Sequence, residues 1–208
     1  MEKRKRMLTA ENFYNAFKNR VTETSFVDAK NEVTCLELYN NWHEFTRYVT
    51  QVINNIITDF GCSVSNEYYN IDVVGWTQKK YDNENASLKV VAKSKDLSFY
   101  LWDLNIVIEH ENNKREWLDE LVKLYYIKCP LKVIITYNYC DERNDSQYSD
   151  IDKVEFAKNI LLKLNNNIPV DEEYLIIFGN AIGKDSENQY STFDYRGYII
   201  NGAKIKQL

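Results

Sequence analysis

Apolar positions near the start of the chain recur at helical spacing, with Phe13, Phe17 and Val21 on one face and Thr9 placed to cap the helix. A longer run repeats the pattern. Leu38, Trp42, Phe45, Val49, Val52, Ile53, Ile56 and Ile57 predict a second helix over roughly Leu36 to Phe60. Trp42, Phe45 and Val49 are expected to face the core, and Gly61 is a natural stop. After Gly61 the pattern changes to short, β-branched and aromatic segments. "CSVSNEYYNIDVVGW", Cys62 to Trp76, predicts one strand. "LKVVAK", Leu88 to Lys93, predicts a second, beyond a hairpin tipped by Asp82 and Asn83. "SFYLWDLNIVIEHE", Ser98 to Glu111, predicts a third. A helix follows, with Trp117, Leu118, Leu121, Leu124 and Tyr125 on its apolar face. Then come a buried strand from Leu131, a helix from Asp152 and a strand "EEYLIIFGNA" in which Gly179 and Asn180 are expected to turn. The last segment, "STFDYRGYIING", reads as a single edge strand.

The expected fold is therefore α/β. Antiparallel strands come first and helical crossovers follow, and right-handed crossovers make the later strands parallel neighbours. The result is a mixed sheet with helices on both faces. Residues 1–35 read as an N-terminal helical extension and 36–208 as the α/β core, all within a single domain.

Composition narrows the classes. Of 208 residues, 44% are hydrophobic and 27% charged, the balance of a globular domain. The net charge of −5 argues against a surface that grips nucleic acid throughout, so any contact with DNA must be local or aided by a cation. The one basic run, Glu2 to Arg6, reads as a solvated tail in preference to a phosphate-contacting arm. Cys35, Cys62, Cys129 and Cys140 form no CxxC pair, and His43 and His110 are the sole histidines, so a structural zinc site is not expected. Scattered thiols and the lack of a signal-like or membrane-spanning segment point to a cytoplasmic protein without a membrane partner.

The candidate chemistry lies at the end of the third strand. Alternation puts His110 on the face of Leu104, Ile106 and Ile108. Glu109 and Glu111 share the other face, with Cβ atoms about 6–7 Å apart. Carboxylates that close repel unless a cation intervenes, and Mg²⁺ prefers such hard oxygen donors. Asp72, in an otherwise apolar strand, supplies a third acid if its strand lies beside that of Glu109. The backbone carbonyl of His110 lies between the glutamates as a further donor. His110 itself faces away from the acids and reads as a packing residue, and His43 as a structural hydrogen-bonding one. The tyrosines of "NEYYN" could stack on bases, with core packing the default.

With Asp72 on one strand and Glu109-x-Glu111 on a later one before a crossover helix, the chain resembles the PD-(D/E)XK phosphodiesterase superfamily, which includes many restriction endonucleases. The resemblance covers roughly Leu36 to Gly202. It implies a restriction-endonuclease-like sheet and Mg²⁺-dependent hydrolysis of phosphodiester bonds in DNA, with Mn²⁺ as a possible substitute. Asp72 matches the first acid and Glu109 the second. Glu111 stands where most members have lysine, an E-x-E variant that a minority carry. Lys114, close in sequence, is the candidate for the missing lysine, and Lys123 on the next helix is the alternative. Asp103 or Asp96 could replace Asp72, because the gap from Asp72 to Glu109 is long. Glu44, on the long helix, matches an acid that in several members reaches the metal through water, although a solvated helix acid reads equally well. Such enzymes commonly act as homodimers. The alternative is a nuclease-like module without catalysis, used for DNA binding or protein interaction.

Overall fold

The computed structural model describes residues 8–23, 26–28, 31–33, 41–78, 102–113, 116–138, 149–165, 168–169, 171–184 and 190–208. The basic run Glu2 to Arg6, the strand expected over Leu88 to Lys93, the hairpin tip at Asp82, Asp96 and Lys114 lie outside the described residues.

Four helices and a seven-stranded mixed sheet make up the fold among the described residues. α1 spans Ala10–Glu23 and is followed by a two-stranded hairpin, β1 (Phe26–Asp28) and β2 (Asn31–Val33). α2 spans Trp42–Asp59, with its buried set from Phe45 to Ile57. It ends as the sequence requires. Gly61 adopts φ 78°, its amide donates to the Thr58 carbonyl at 2.8 Å, and the Cys62 amide donates to Ile57 at 3.2 Å. This left-handed closure takes up carbonyls that the helix end would leave unpaired. Thr9 caps α1, its hydroxyl accepting the Asn12 amide at 3.2 Å. Trp42 departs from expectation. It is 62% exposed, because it opens the helix before α2 reaches the sheet, and its ring stacks on His43 at 3.4 Å.

The sheet order is β3 (Ser63–Tyr68), β4 (Ile71–Gln78), β5 (Trp102–Glu111), β6 (Leu131–Tyr137), β7 (Glu173–Lys184), β8 (Tyr190–Asn201) and β9 (Lys204–Gln207). β3, β4 and β5 pair antiparallel. α3 (Trp117–Tyr125) crosses to β6 and α4 (Asp150–Asn165) to β7, so β5, β6 and β7 run parallel. β8 and β9 return antiparallel.

Three sequence expectations are corrected here. Cys62 to Trp76 is not one strand but a hairpin, turned by Tyr69 and Asn70 at φ 52° and 61°. Both central residues are left-handed, as primed hairpin turns require, yet neither is the glycine that normally announces such a turn. Gly179 and Asn180 do not turn. β7 runs on to Lys184 beside β8, and the glycine serves packing, since a Cβ there would meet the Tyr137 ring at 2.7 Å and the Tyr195 ring at 2.8 Å. The last segment is a single strand, β8, but not the edge: the chain turns at Gly202, φ 55°, and β9 pairs along its outer side.

Strand alternation divides the core in two. On one face Val73, Ile106, Ile108, Val133, Ile135 and Leu175 pack under α1 and α2. On the other, Val74, Val107, Ile134, Ile176 and Phe178 pack under α3 and α4. α1 shares the first core through Phe13, Phe17 and Tyr14, whose hydroxyl donates to the Tyr195 carbonyl at 2.8 Å. No helix among the described residues is long and apolar enough to cross a membrane.

Candidate active site

β4 and β5 lie side by side, with Val73 opposite Ile108, so Asp72 stands across from Glu109 on the α3 side of the sheet. The two acids interlock through backbone. The His110 amide donates to Asp72 Oδ2 at 2.8 Å, and the Asp72 amide points at Glu109 Oε2 at 3.4 Å. The first bond ties the Asp72 carboxylate to the partner strand. The second is long and weak.

Glu109 is 2% exposed. Burial pushes its carboxyl up to about 8, and the neighbouring Asp72 adds to the rise, against the opposing pull of Lys123. Lys123 comes from α3. Its Nζ lies 2.7 Å from Glu109 Oε1, pairs also with Glu120, and donates to the Asn70 carbonyl in the β3–β4 turn at 2.8 Å. Burial works against the ammonium, but its bonds to Glu109 and Glu120 outweigh it and hold Lys123 above its ordinary value. The helix reaches this place because Trp117, Leu121 and Leu124 anchor it to the sheet. Glu120 and Lys123, one turn apart, then flank the anchored stripe at the sheet's end.

Glu111 shares the face of Glu109 but sits at the strand terminus. Its Oε1 accepts the Asn113 amide at 2.5 Å, and partial burial raises its carboxyl above the ordinary range. His110 turns to the opposite face. Its Nε2 lies 2.6 Å from the Tyr137 hydroxyl and its ring packs against Phe45. Burial drives its pKa down to about 3, so the ring is neutral. The His110 amide faces β4, and a strand residue directs its carbonyl to the same edge of the strand.

The other sequence candidates stand elsewhere. Glu44 is on α2, which covers the opposite face, and pairs with Arg47 at 2.7 Å. Asp103 is exposed at the far end of β5, where it sits opposite Thr77. Among the described residues no group of three or more His, Cys, Asp or Glu side chains is set to hold a metal ion as it stands. What the fold brings together is Asp72, Glu109 and Lys123, with Glu111 one step along the strand. Glu120 and the Asn70 carbonyl were not found by sequence reasoning. Glu120 carried a signal, the three-residue spacing to Lys123 beside a buried stripe. The turn carbonyl carried none.

No family model matches the chain, and no curated protein matches it.

Proposed function

We propose that the chain is a divalent-metal-dependent nuclease that hydrolyses phosphodiester bonds in DNA. The observation that carries this reading is the buried Glu109 carboxylate facing Asp72, with a lysine brought to it from the crossover helix. The element order supports a restriction-endonuclease-like fold: a helix, three antiparallel strands, a crossover helix and a parallel strand. Asp72 falls on the middle of the three strands and Glu109-x-Glu111 on the third, as the resemblance requires.

The donor set suits a hard cation. With the Lys123 ammonium already against it, the Glu109 carboxyl is still held up to about 8, so full ionisation at neutral pH calls for further positive charge, and Asp72 beside it adds to that demand. Asp72, Glu109 and Glu111, with the His110 carbonyl, would hold Mg²⁺ or Mn²⁺, which when bound neutralises phosphate charge and eases ionisation of water. Lys123 occupies the role left open by Glu111. Its ammonium stands against Glu109 and, on releasing Glu120 or the Asn70 carbonyl, can hold and orient a phosphate oxygen or the attacking water. Glu111, its carboxyl raised by burial, can accept the proton of that water. The His110 amide of β5 ties the Asp72 carboxylate in place across from Glu109.

The test is cleavage of duplex, single-stranded and branched DNA in the presence of Mg²⁺ or Mn²⁺. Cleavage is expected, and Asp72→Asn and Glu109→Gln should each abolish it while circular dichroism stays native. No cleavage of any of the three substrates would defeat the reading. One observation favours a second reading, a module of this fold without catalysis: Lys123 already occupies Glu109 Oε1. Calorimetric titration with Mn²⁺ separates the two, since the module binds no metal at the acids.

A further inference from the structure

An apolar pocket of about 380 Å³ carries on its wall Lys123, the residue paired with Glu109. Tyr68, Tyr69, Trp102 and Leu104 form much of the rest. We propose that this pocket receives one unstacked base of the DNA, so that the substrate class is single-stranded or locally unpaired DNA. The proposal rests on the nuclease reading for what happens next to the pocket, and on the pocket's own construction for what enters it.

The pocket's chemistry is that of a flat ring attached to an anion. Its walls are aromatic and aliphatic, and its charged group is the lysine that also touches Glu109. A base lying against the rings would place its phosphate toward that ammonium and the proposed cation. Trp102 is braced by Trp76, stacked at 4.0 Å and 10°. Tyr68 leans on Trp102 at 5.4 Å and meets Tyr69 edge-on at 4.8 Å. Rings held in this way give a stacking surface that suits any base.

The turn adds a second, independent observation. Tyr69 is left-handed, a conformation bulky residues rarely adopt, and its ring is 72% exposed at the pocket's edge. Gly or Asn would hold the same turn without strain. Backbone strain of this kind gathers at ligand sites. The same turn is tied to the acids, because Lys123 donates to the Asn70 carbonyl. Charge argues against a broader partner. At −5 overall, with the pocket's lysine paired to Glu109, the chain is unsuited to an anionic membrane or to the length of a duplex. A single nucleotide with a local cation meets neither objection. Within an intact duplex the base is stacked and cannot enter, so the strand must be open at that point.

The test is fluorescence anisotropy with a labelled single-stranded 12-mer, the same strand carrying one abasic position, and the matched duplex. It is run in EDTA and again in Mn²⁺ with Asp72→Asn in the background to prevent cutting. Wild type should bind the single strand more tightly than the duplex. Tyr69→Gly and Trp102→Leu should each weaken single-strand binding about tenfold, from the loss of one stacking surface. Tyr69→Gly should keep thermal stability, because glycine suits the left-handed position. Equal affinity for single strand and duplex, or unchanged affinity in both variants, would overturn the proposal. So would preferential displacement of a pocket-bound probe by an apolar peptide. Cleavage by wild type that ignores both substitutions would remove the pocket proposal and leave the nuclease reading standing. Ring-dependent binding in EDTA without any cleavage in Mn²⁺ would do the reverse.

Discussion

Glu109→Gln separates a functional carboxylate from a structural one. Glutamine keeps the shape and removes the charge. Burial raises the Glu109 carboxyl from 4.5 to about 8 in the folded protein. A raised folded value means that the contribution is whole below 4.5 and is lost as pH climbs through 8. From 4.5 to 7 is 2.5 pH units, and at about 1.4 kcal/mol for each the wild type loses about 3 kcal/mol that the variant keeps. The partner does not offset this by being stranded. Lys123 is one-third exposed and retains Glu120 and the Asn70 carbonyl. The assay is urea unfolding of both proteins in EDTA from about pH 5 to about pH 8. The stability of wild type minus variant should fall across that range, and Glu109→Gln should be the more stable protein at pH 7. Adding Mn²⁺ should raise the melting temperature of wild type alone. A variant less stable than wild type at pH 7, or a difference that stays flat with pH, refutes the reasoning. Glu109 and Lys123 would then be a structural staple whose attraction exceeds its desolvation.

His110 moves the acid limb. Its folded pKa of about 3 lies below the ordinary 6.5, so stability is lost as pH falls from 6.5 toward 3. His110→Phe should flatten that limb in unfolding titrations while costing about 1 kcal/mol at pH 7 from the lost Tyr137 bond. An unchanged acid limb would show that the ring is not held neutral. Lys123→Met should move the Glu109 carboxyl further upward, read by carbon-13 titration of the side chain, because the ammonium is what pulls it down. A midpoint that stays or falls would mean Lys123 does not face Glu109 in solution. Gly75→Ala should cost about 1–3 kcal/mol by chemical denaturation. Its Cβ would stand 2.5 Å from Ile106 Cγ2 and 2.7 Å from Ile57 Cγ2, and a neutral outcome would mean that β4 and α2 approach less closely.

The elements with a strong period were legible. α2, α3 and β6 follow from apolar spacing alone, and Gly61 ends α2 where a helix stop was expected. Alternation also put Glu109 and Glu111 on one face and His110 on the other. What the sequence hid was turn chemistry. Tyr69 and Asn70 make a tight turn without glycine, so two strands read as one. Gly179 looked like a turn because a glycine demanded by two tyrosine rings is indistinguishable in sequence from one demanded by φ. The lysine was left open between Lys114 and, as the alternative, Lys123. Lys123 is 14 positions beyond Glu109 and reaches it only because α3 folds back over β5, a tertiary fact that no local pattern encodes.

The two faces of the sheet are loaded differently, and this bears on the proposed site. Under α1 and α2 the core is almost wholly apolar, and its one histidine is neutral and bonded to Tyr137. At one end of the other face stand a carboxyl that burial penalises, a facing aspartate, and a turn with two non-glycine residues at left-handed φ. Each of these lowers stability, and none is required to close the apolar core behind it. A single ammonium joins them, 2.7 Å from Glu109 and 2.8 Å from the Asn70 carbonyl. Local rules are broken together where a ligand needs them broken. The same face also buries the Lys132 ammonium at its other end, but that charge is paired with Glu172 and bonded to Tyr174. Glu109 keeps a penalty that its lysine does not cancel, which is why Glu109→Gln is expected to stabilise the protein and, on the proposed function, to silence it.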